Sequence, residues 1–551
     1  MDFQSFSKIN RFKDIVFTLM RYGFGDIISR LDLPEKILPV PIKKQWATDK
    51  NTWERIRLVL TDLGPTFVKF GQILSLRADL IPHELVLELS KLQDQVQPES
   101  FEAIKTQIEK SMEKPLEEVF ADFEPQPLAA ASLAQVHRAV LKKDKTVVAV
   151  KVQRPGIRQT IRNDLDILAT LARQVHERLE TLKVYDLPLL VEELRRLLTR
   201  ELDFTLEGKN IRLARSNFAG DPEVVYPAVF TDESTSRVLI MELVRGTKLR
   251  QAVDLPLAQK KRLAQIGLRA LMQQVLMDGF FHADPHPGNI YVLDDGRISF
   301  LDWGMVGRVT PDMQARIIAL IEGIVDRDSE AIMELILSLS ENTQVKNREE
   351  LQRDILDVLD EFYAVPLSEI NISQLLMLIT EAIQRHQIRI KADMAVMIKA
   401  MITGEGTVRM LYPELNVVAE AEPFVRKMAL KKYSPRELQK QTRKLLGQFF
   451  QMQKALPLQL NHVMGKLERD ELSIGFEHKR LEGLRMTLDQ IANRLTLGIV
   501  TAAMIIGSSM IVTTGVKPLL FGYPALGLVG YLQSAFFGAW LAFEIIRKRK
   551  M

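Results

Sequence analysis

The stretch HADPHPGNIYVLDDGRISFLDWG, residues 282–304, decides how the whole chain is read. Two short aliphatic runs, IYVL and ISFL, flank Asp294, Asp295 and Gly296. An Asp-Gly turn between apolar runs predicts a β-hairpin. That hairpin puts Asn289 just before one strand and Asp302 just after the other, so two oxygen ligands converge at its open end. Such a pair suits a hard cation such as magnesium, bound together with nucleotide phosphates. Asp284, in the loop before the hairpin, is placed to accept a proton from a nucleophile or to orient it. His282 and His286 do not read as metal ligands, because no third imidazole or thiol lies nearby and the stretch is not helical. They read as braces of the loop.

The order and spacing of these residues resemble the protein-kinase pattern H-x-D-x-x-x-x-N followed by D-x-G. A site of that kind needs a lysine for the phosphates of ATP, and VVAVKV at 147–152 supplies Lys151 in a strand-like V-A-x-K setting. Upstream, Ala129-Ala130-Ala131-Ser132-Leu133-Ala134-Gln135-Val136 keeps the register of the kinase loop G-x-G-x-x-G-x-V, with alanine at all three glycine places. Glycine there permits positive φ and close approach of backbone N–H groups to phosphate, whereas a Cβ makes those conformations costly. The substitution predicts a loop of different shape, partly helical, with altered nucleotide preference and acceptor access.

Lys151 requires a carboxylate partner, and ELDFTLEGKN offers Glu201, Asp203 and Glu207. On a helix, Asp203 and Glu207 share a face while Glu201 points elsewhere. Glu207 is therefore the expected partner. RVLIMELVRG reads as a strand leading into an interlobe linker, where the backbone around Glu242 and Leu243 is positioned by chain order to meet an adenine ring.

The bulk properties set the frame around this site. At 551 residues the chain exceeds a single hydrophobic core, so two or more units are expected. Its 74 basic and 70 acidic residues nearly cancel, leaving +4, which gives no reason to invoke nucleic acid as a partner. There are no cysteines, which rules out disulfides, thiolate metal sites and cysteine nucleophiles. The N-terminus, with Lys8, Arg11, Lys13 and Asp14 among apolar residues, lacks the features of a cleavable signal and reads as an amphipathic surface helix.

No charged residue occurs between Arg494 and Lys517, nor between Lys517 and Glu544. Each run reaches the roughly 20 residues that a hydrocarbon core requires. They predict a membrane hairpin turning through Gly515, Val516, Lys517 and Pro518. Small residues four apart, Gly498 with Ala502, Ala503 with Gly507, and Gly530, Ser534 and Gly538, suit close helix packing in lipid. Arg494 before the first span, and Arg547, Lys548, Arg549 and Lys550 after the second, place both ends and the large N-terminal part in the cytoplasm.

Residues from about 60 to 310 resemble the UbiB family of atypical kinase-like proteins, called ADCK in animals. The resemblance is carried by Lys69-Phe70-Gly71-Gln72, like the family's K-x-G-Q; by the alanine loop at 129–134; and by Glu201-Leu202-Asp203, like its E-x-D. It implies that Lys69, with Gln72, lies on a helical extension folded over the active site, where Lys69 meets Glu201 or Asp203 and blocks the place of a protein substrate. It further implies a role in isoprenoid quinone biosynthesis, ubiquinone above all, by an ATPase acting on lipid or on a biosynthetic complex. Trp303, where kinases usually have Phe, departs from the pattern.

The expected architecture is α+β, a bilobal protein-kinase-like fold with added helices and a transmembrane hairpin. Its parts are an amphipathic region (1–50), a helical extension (51–125), an N-lobe (126–245), a C-lobe (246–440), a helical linker (441–494) and two transmembrane helices (495–547). The expected activity is that of an ATP- and Mg2+-dependent kinase-like ATPase. Its expected partners are membrane lipids and prenyl-quinone precursors or their biosynthetic enzymes. Two further readings stay open: a true phosphotransferase on a protein or small molecule, and a non-catalytic, nucleotide-gated scaffold or lipid-binding protein.

Overall fold

A computed structural model describes residues 3–31, 50–77, 81–92, 96–326, 328–340, 347–363, 371–386, 388–432 and 481–548. Most of the expected linker at 441–494, residues 32–49 of the amphipathic region, and Arg549 and Lys550 lie outside the described residues. The chain divides into two compact units, Met1–Lys440 and Gln441–Met551.

The first unit begins with helices α1 (Phe3–Leu19), α2 (Thr52–Asp62), α3 (Pro65–Ser75), α4 (His83–Leu89) and α5 (Phe101–Met112). Asn51 starts α2 by accepting the Glu54 N–H at 2.8 Å. Gly64, at φ +94°, turns the chain into α3, and Pro65 fills its first turn. The N-terminal helix α1 is more than a surface element. Its Ile15 and Val16 are buried with Phe67 and Phe70 of α3. Arg11 donates to the fully buried Asp164 at 2.8 and 3.1 Å and to the Leu63 carbonyl at 2.9 Å. Lys13 and Asp14 stay exposed, as an amphipathic helix requires.

The next segment is a sheet with helices inserted before its last strand. It runs through β1 (Phe120–Phe123), β2 (Ala129–Ala130), β3 (Ala134–Leu141), β4 (Val147–Gln153), α6 (Ile157–Arg178), α7 (Leu187–Glu201), α8 (Phe204–Asn217), β5 (Val224–Val225) and β6 (Val238–Glu242). Strand order is β1-β3-β4-β6, with β2 paired to β3, while β5 pairs instead with a later strand, Ile298–Phe300. The β-branched run of β4 takes a central place, with Val148, Val150 and Val152 fully buried. In register, Lys151 of β4 stands between Val136 of β3 and Leu239 of β6.

A helical lobe follows. It contains β7 (Gly246–Lys248), α9 (Leu257–Met272), β8 (Phe280–His282), β9 (Ile290–Leu293), β10 (Ile298–Phe300) and β11 (Val306–Arg308). The helices α10 (Pro311–Asp326), α11 (Ser329–Ser338), α12 (Arg348–Tyr363), α13 (Ile372–Arg385), α14 (Ala392–Leu411) and α15 (Val417–Lys432) complete it. β9 and β10 form the expected hairpin, pairing Ile298 with Val292 and Phe300 with Ile290. Gly296 at φ +82° makes its turn. One apolar core runs from α8 and α9 through α14. The protein has a kinase-like α+β fold, rich in helix.

The second unit holds α16 (Leu481–Thr513) and α17 (Ala525–Lys548), packed on each other. Among the described residues one helical stretch, Leu495–Thr513, is long and apolar enough to cross a membrane. The apolar part of α17, Ala525–Leu541, is shorter. The helix contact uses only part of the expected small-residue stripe. A Cβ on Gly530 would stand 2.1 Å from Ser508 Oγ, and one on Gly527 2.6 Å from Val512. Gly498 and Gly507 face open space and take no part in it.

Candidate active site

The site is assembled around Lys151. Its ammonium donates to both carboxylate oxygens of Glu207, at 2.7 and 2.9 Å, and to Asp302 at 2.9 Å, and it lies over the Phe204 ring. Glu207 reaches it because α8 packs on the sheet, with Gly208 against Leu239 and Val229. Burial opposes the charge on Lys151, but the Asp302 and Glu207 charges overcome it and hold the lysine protonated. Lys151 in turn holds Asp302 well below the usual carboxylate range. With two carboxylates sharing one ammonium, burial pushes the deeper one, Glu207, up to about 7.

Asp302 sits at φ +59°, a left-handed conformation that costs a non-glycine residue free energy and that packing must maintain. Trp303 supplies that packing. The departure from Phe is fully accommodated: its ring is completely buried, stacked on Phe280 at 5.6 Å and edge-on to Tyr226 and His282. Its indole N–H donates to Phe300, and its carbonyl accepts from Asn210.

The loop from His282 to Asn289 is braced from inside. Buried His282 donates from Nε2 to the Leu301 carbonyl at 3.0 Å and accepts the Asp284 N–H on Nδ1 at 3.1 Å. Burial lowers its pKa, in keeping with this neutral tautomer. His286 Nδ1 accepts the Gly288 N–H. Asn289 donates its amide N–H to the Asp284 carbonyl at 3.2 Å, and its own carbonyl receives the Leu301 N–H at 2.8 Å, which sets Asn289 beside Asp302 at the hairpin's open end. The Asn289 side-chain oxygen next to the half-exposed, ionised Asp302 carboxylate fits a hard cation with phosphates completing its shell. The Asp284 carboxylate accepts no hydrogen bond from the described residues.

The alanine loop is not helical. Ala129 and Ala130 pair with Val136 and Gln135 as a strand, and the Ala131 N–H closes a turn onto the Ala134 carbonyl at 2.8 Å. Ser132, Leu133 and Ala134 are buried. Helix propensity loses here to sheet pairing. Sequence alone also missed what holds the loop. Arg154, just past β4, donates to the carbonyls of Ala131 (2.8 Å) and Gln97 (2.7 Å) and to Glu99 (2.7 Å).

Among the carboxylates of 201–207, Glu207 pairs with Lys151 and Glu201 meets Lys69 as expected, whereas Asp203 does not share the face of Glu207. The helix breaks after Glu201, so Glu201 comes in on the end of α7 and pairs with Lys69 of α3, beside Gly304. Asp203 caps α8, accepting from Thr205 N–H at 3.1 Å and its hydroxyl at 2.7 Å. Gln72 donates to the Leu92 carbonyl and packs the extension instead of facing the site. Glu242 is also narrower in use: its N–H goes to Ala228 at 2.8 Å and its carboxylate accepts the Ala228 N–H at 3.1 Å. Leu243, half-buried, remains at the strand end.

Sheet and helix of one lobe thus present Lys151 and Glu207, while the other lobe presents the loop and Asp302. Phosphates would be gripped between them, which is the arrangement of the protein-kinase-like class. Sequence comparison narrows the class. The ABC1 atypical kinase-like domain matches residues 91–336, the UbiB helical domain 355–416 and the ABC1/UbiB kinase-like C-terminal domain 479–547. A Clostridium pasteurianum protein, described as an uncharacterized protein in hydrogenase 1 5'region, is 30% identical over 98% of this chain and 99% of its own. The probable protein kinase UbiB of Pseudomonas fluorescens strain Pf0-1 is 32% identical over 84% of this chain and 87% of its own. That of Xanthomonas campestris pv. campestris strain B100 is 31% identical over 83% and 84%. The chain belongs to the ABC1/UbiB family of atypical kinase-like proteins.

Proposed function

We propose that the chain is an ATP- and magnesium-dependent kinase-like ATPase that supports isoprenoid quinone biosynthesis, of the ubiquinone type or for another prenyl lipid, at a membrane. The observation that carries this reading is Lys151 clamped between Glu207 and Asp302. In it, Lys151 binds nucleotide phosphates beneath the turn at Ala131 to Ala134, and Val136 and Leu243 contribute apolar surface to the base. Asn289 and Asp302 hold the cation, which supplies charge neutralisation at the phosphates when bound. Asp284 orients the attacking oxygen. The Lys69–Glu201 pair ties the extension down beside Gly304, which favours water or a small acceptor over a protein chain.

The apolar helix at Leu495–Thr513 supports residence at a membrane, with α17 as a second span and the kinase-like part cytoplasmic. The test is ATP hydrolysis by the purified full chain, with and without magnesium, together with the prenyl-quinone pool of cells with and without the gene. Hydrolysis is expected to disappear in Asp302→Asn; turnover that survives the substitution would sink the mechanism. Phosphotransfer to a small molecule is the second reading, favoured by the uncommitted Asp284 carboxylate. Labelling of an acceptor, lost in Asp284→Asn, would select it.

A further inference from the structure

A second cation lies on the helix that hydrogen-bonds the loop. Lys399 lies on α14, half-buried, and its ammonium donates to Ser90 Oγ, at the end of α4, at 2.7 Å. The Ser90 hydroxyl donates onward to the Val86 carbonyl at 2.8 Å, so its lone pair, not its proton, faces Lys399. Among the described residues Lys399 has no ion-pair partner. An ammonium carries three N–H donors, and one neutral hydroxyl uses only one of them. Burial lowers the pKa of Lys399, and the charge that sustains it is that of Asp284.

The helix that carries Lys399 packs closely on the loop and on α9. Two turns further along α14, the buried Thr407 hydroxyl donates to the Pro285 carbonyl, next to Asp284, at 3.0 Å. Gly404 lies so close to Leu271 of α9 that a Cβ would stand 2.4 Å from it. The neighbouring charge on the helix, Glu405, is already neutralised by Arg409 at 2.8 Å and accepts hydrogen bonds from the Ser373 N–H and hydroxyl. A half-buried cation whose donors are unspent among the described residues, on the helix that hydrogen-bonds the loop at Pro285 and within electrostatic reach of Asp284, is built to receive an anion.

We infer that Lys399 binds the terminal phosphoryl group of the nucleotide, held in place by Ser90 of the helical extension. This rests on the ATP-dependent reading above. It assigns chemistry to the helical region beyond residue 330, and it makes docking of α4 a condition for aligning the cation. Phosphoryl transfer gains most from charges placed where the transferred oxygens stand.

The full-length protein in detergent micelles tests it, with magnesium present, by measuring affinity for ADP and for a non-hydrolysable ATP analogue that retains the terminal phosphate. Lys399→Met is expected to weaken the analogue about tenfold or more while ADP changes less than about twofold, and to cut kcat at saturating ATP by about a hundredfold. Lys399→Arg should restore part of the analogue affinity, and Ser90→Ala should show a weaker form of the same selective loss. Retained ADP binding certifies the fold of each variant. Equal loss of both nucleotides marks a structural role and overturns the proposal, as does loss of neither. Wild-type protein that binds neither nucleotide overturns the ATP reading itself. Wild-type binding with an unaffected Lys399→Met overturns this inference alone.

Discussion

Lys69 of α3 and Glu201 at the end of α7 form an ion pair almost sealed from water, with 10% and 11% of the two side chains exposed. The second oxygen of Glu201 is buried without a hydrogen-bond partner, and burial raises the pKa of its carboxyl against the pull of Lys69. Removing the cation strands that carboxylate. Lys69→Ala is therefore expected to destabilise the first unit by about 3–5 kcal/mol. Adding Glu201→Gln should recover most of the loss, because the buried charge goes with it. Thermal unfolding of both variants decides the matter; a double variant as unstable as Lys69→Ala would show that the pair is not what Lys69 contributes.

Arg154 and the alanine loop give a second prediction. Its guanidinium fork holds Ala131, Gln97 and Glu99, and its own N–H donates to the Leu133 carbonyl at 2.9 Å. Lysine keeps the charge but not the fork. Arg154→Lys should raise the KM for ATP about tenfold with a smaller change in kcat, and should speed amide hydrogen exchange at residues 131–134, on the basis of about 1.5–3 kcal/mol for a charged hydrogen bond. Unchanged exchange together with an unchanged KM would dispose of this role.

These residues also show where sequence reasoning reaches and where it stops. Lys151, Asn289, Asp302 and their hairpin were legible because each sits at a fixed spacing from a strand or turn whose local chemistry is written in neighbouring residues. Glu207 was legible by elimination and Trp303 by position, although its fit needed the rings of Phe280, Tyr226 and His282 around it. Arg154, Arg11 and Lys399 gave no such signal, since their partners stand far away along the chain and only packing joins them. Asp203 was misread as sharing a face with Glu207 for one physical reason: the helix breaks at Leu202 and Asp203, and period arguments fail across a break.

Glu207 carries a pH dependence with a definite sign. Its carboxyl is raised from 4.5 to about 7 in the fold, so between these values the folded chain binds more protons there than the unfolded one. The associated stability is full at low pH and is lost as pH rises through about 7. Glutamine escapes that penalty. Glu207→Gln is expected to be more stable than wild type at about pH 8, by on the order of 1–3 kcal/mol, and equal to it near about pH 5, while its ATP turnover is lost. Thermal melts across that range read the difference directly, and a gap that is constant with pH would refute the assignment.

The helix pair of the second unit offers a covalent test, helped by the complete absence of native cysteine. A Cβ built on Gly530 of α17 lies 3.3 Å from the Cβ of Ser508 on α16. Disulfides join Cβ atoms about 3.5–4.5 Å apart, so a small relaxation of two helices brings this pair into range. Ser508→Cys with Gly530→Cys is expected to cross-link on mild oxidation of the full chain, read as a gel-mobility shift reversed by a reductant. Gly507, one residue away, faces open space, so Gly507→Cys with Gly530→Cys serves as the control and should stay reduced. Cross-linking in the control alone, or in neither, would mean that α16 and α17 do not meet on the Ser508 face.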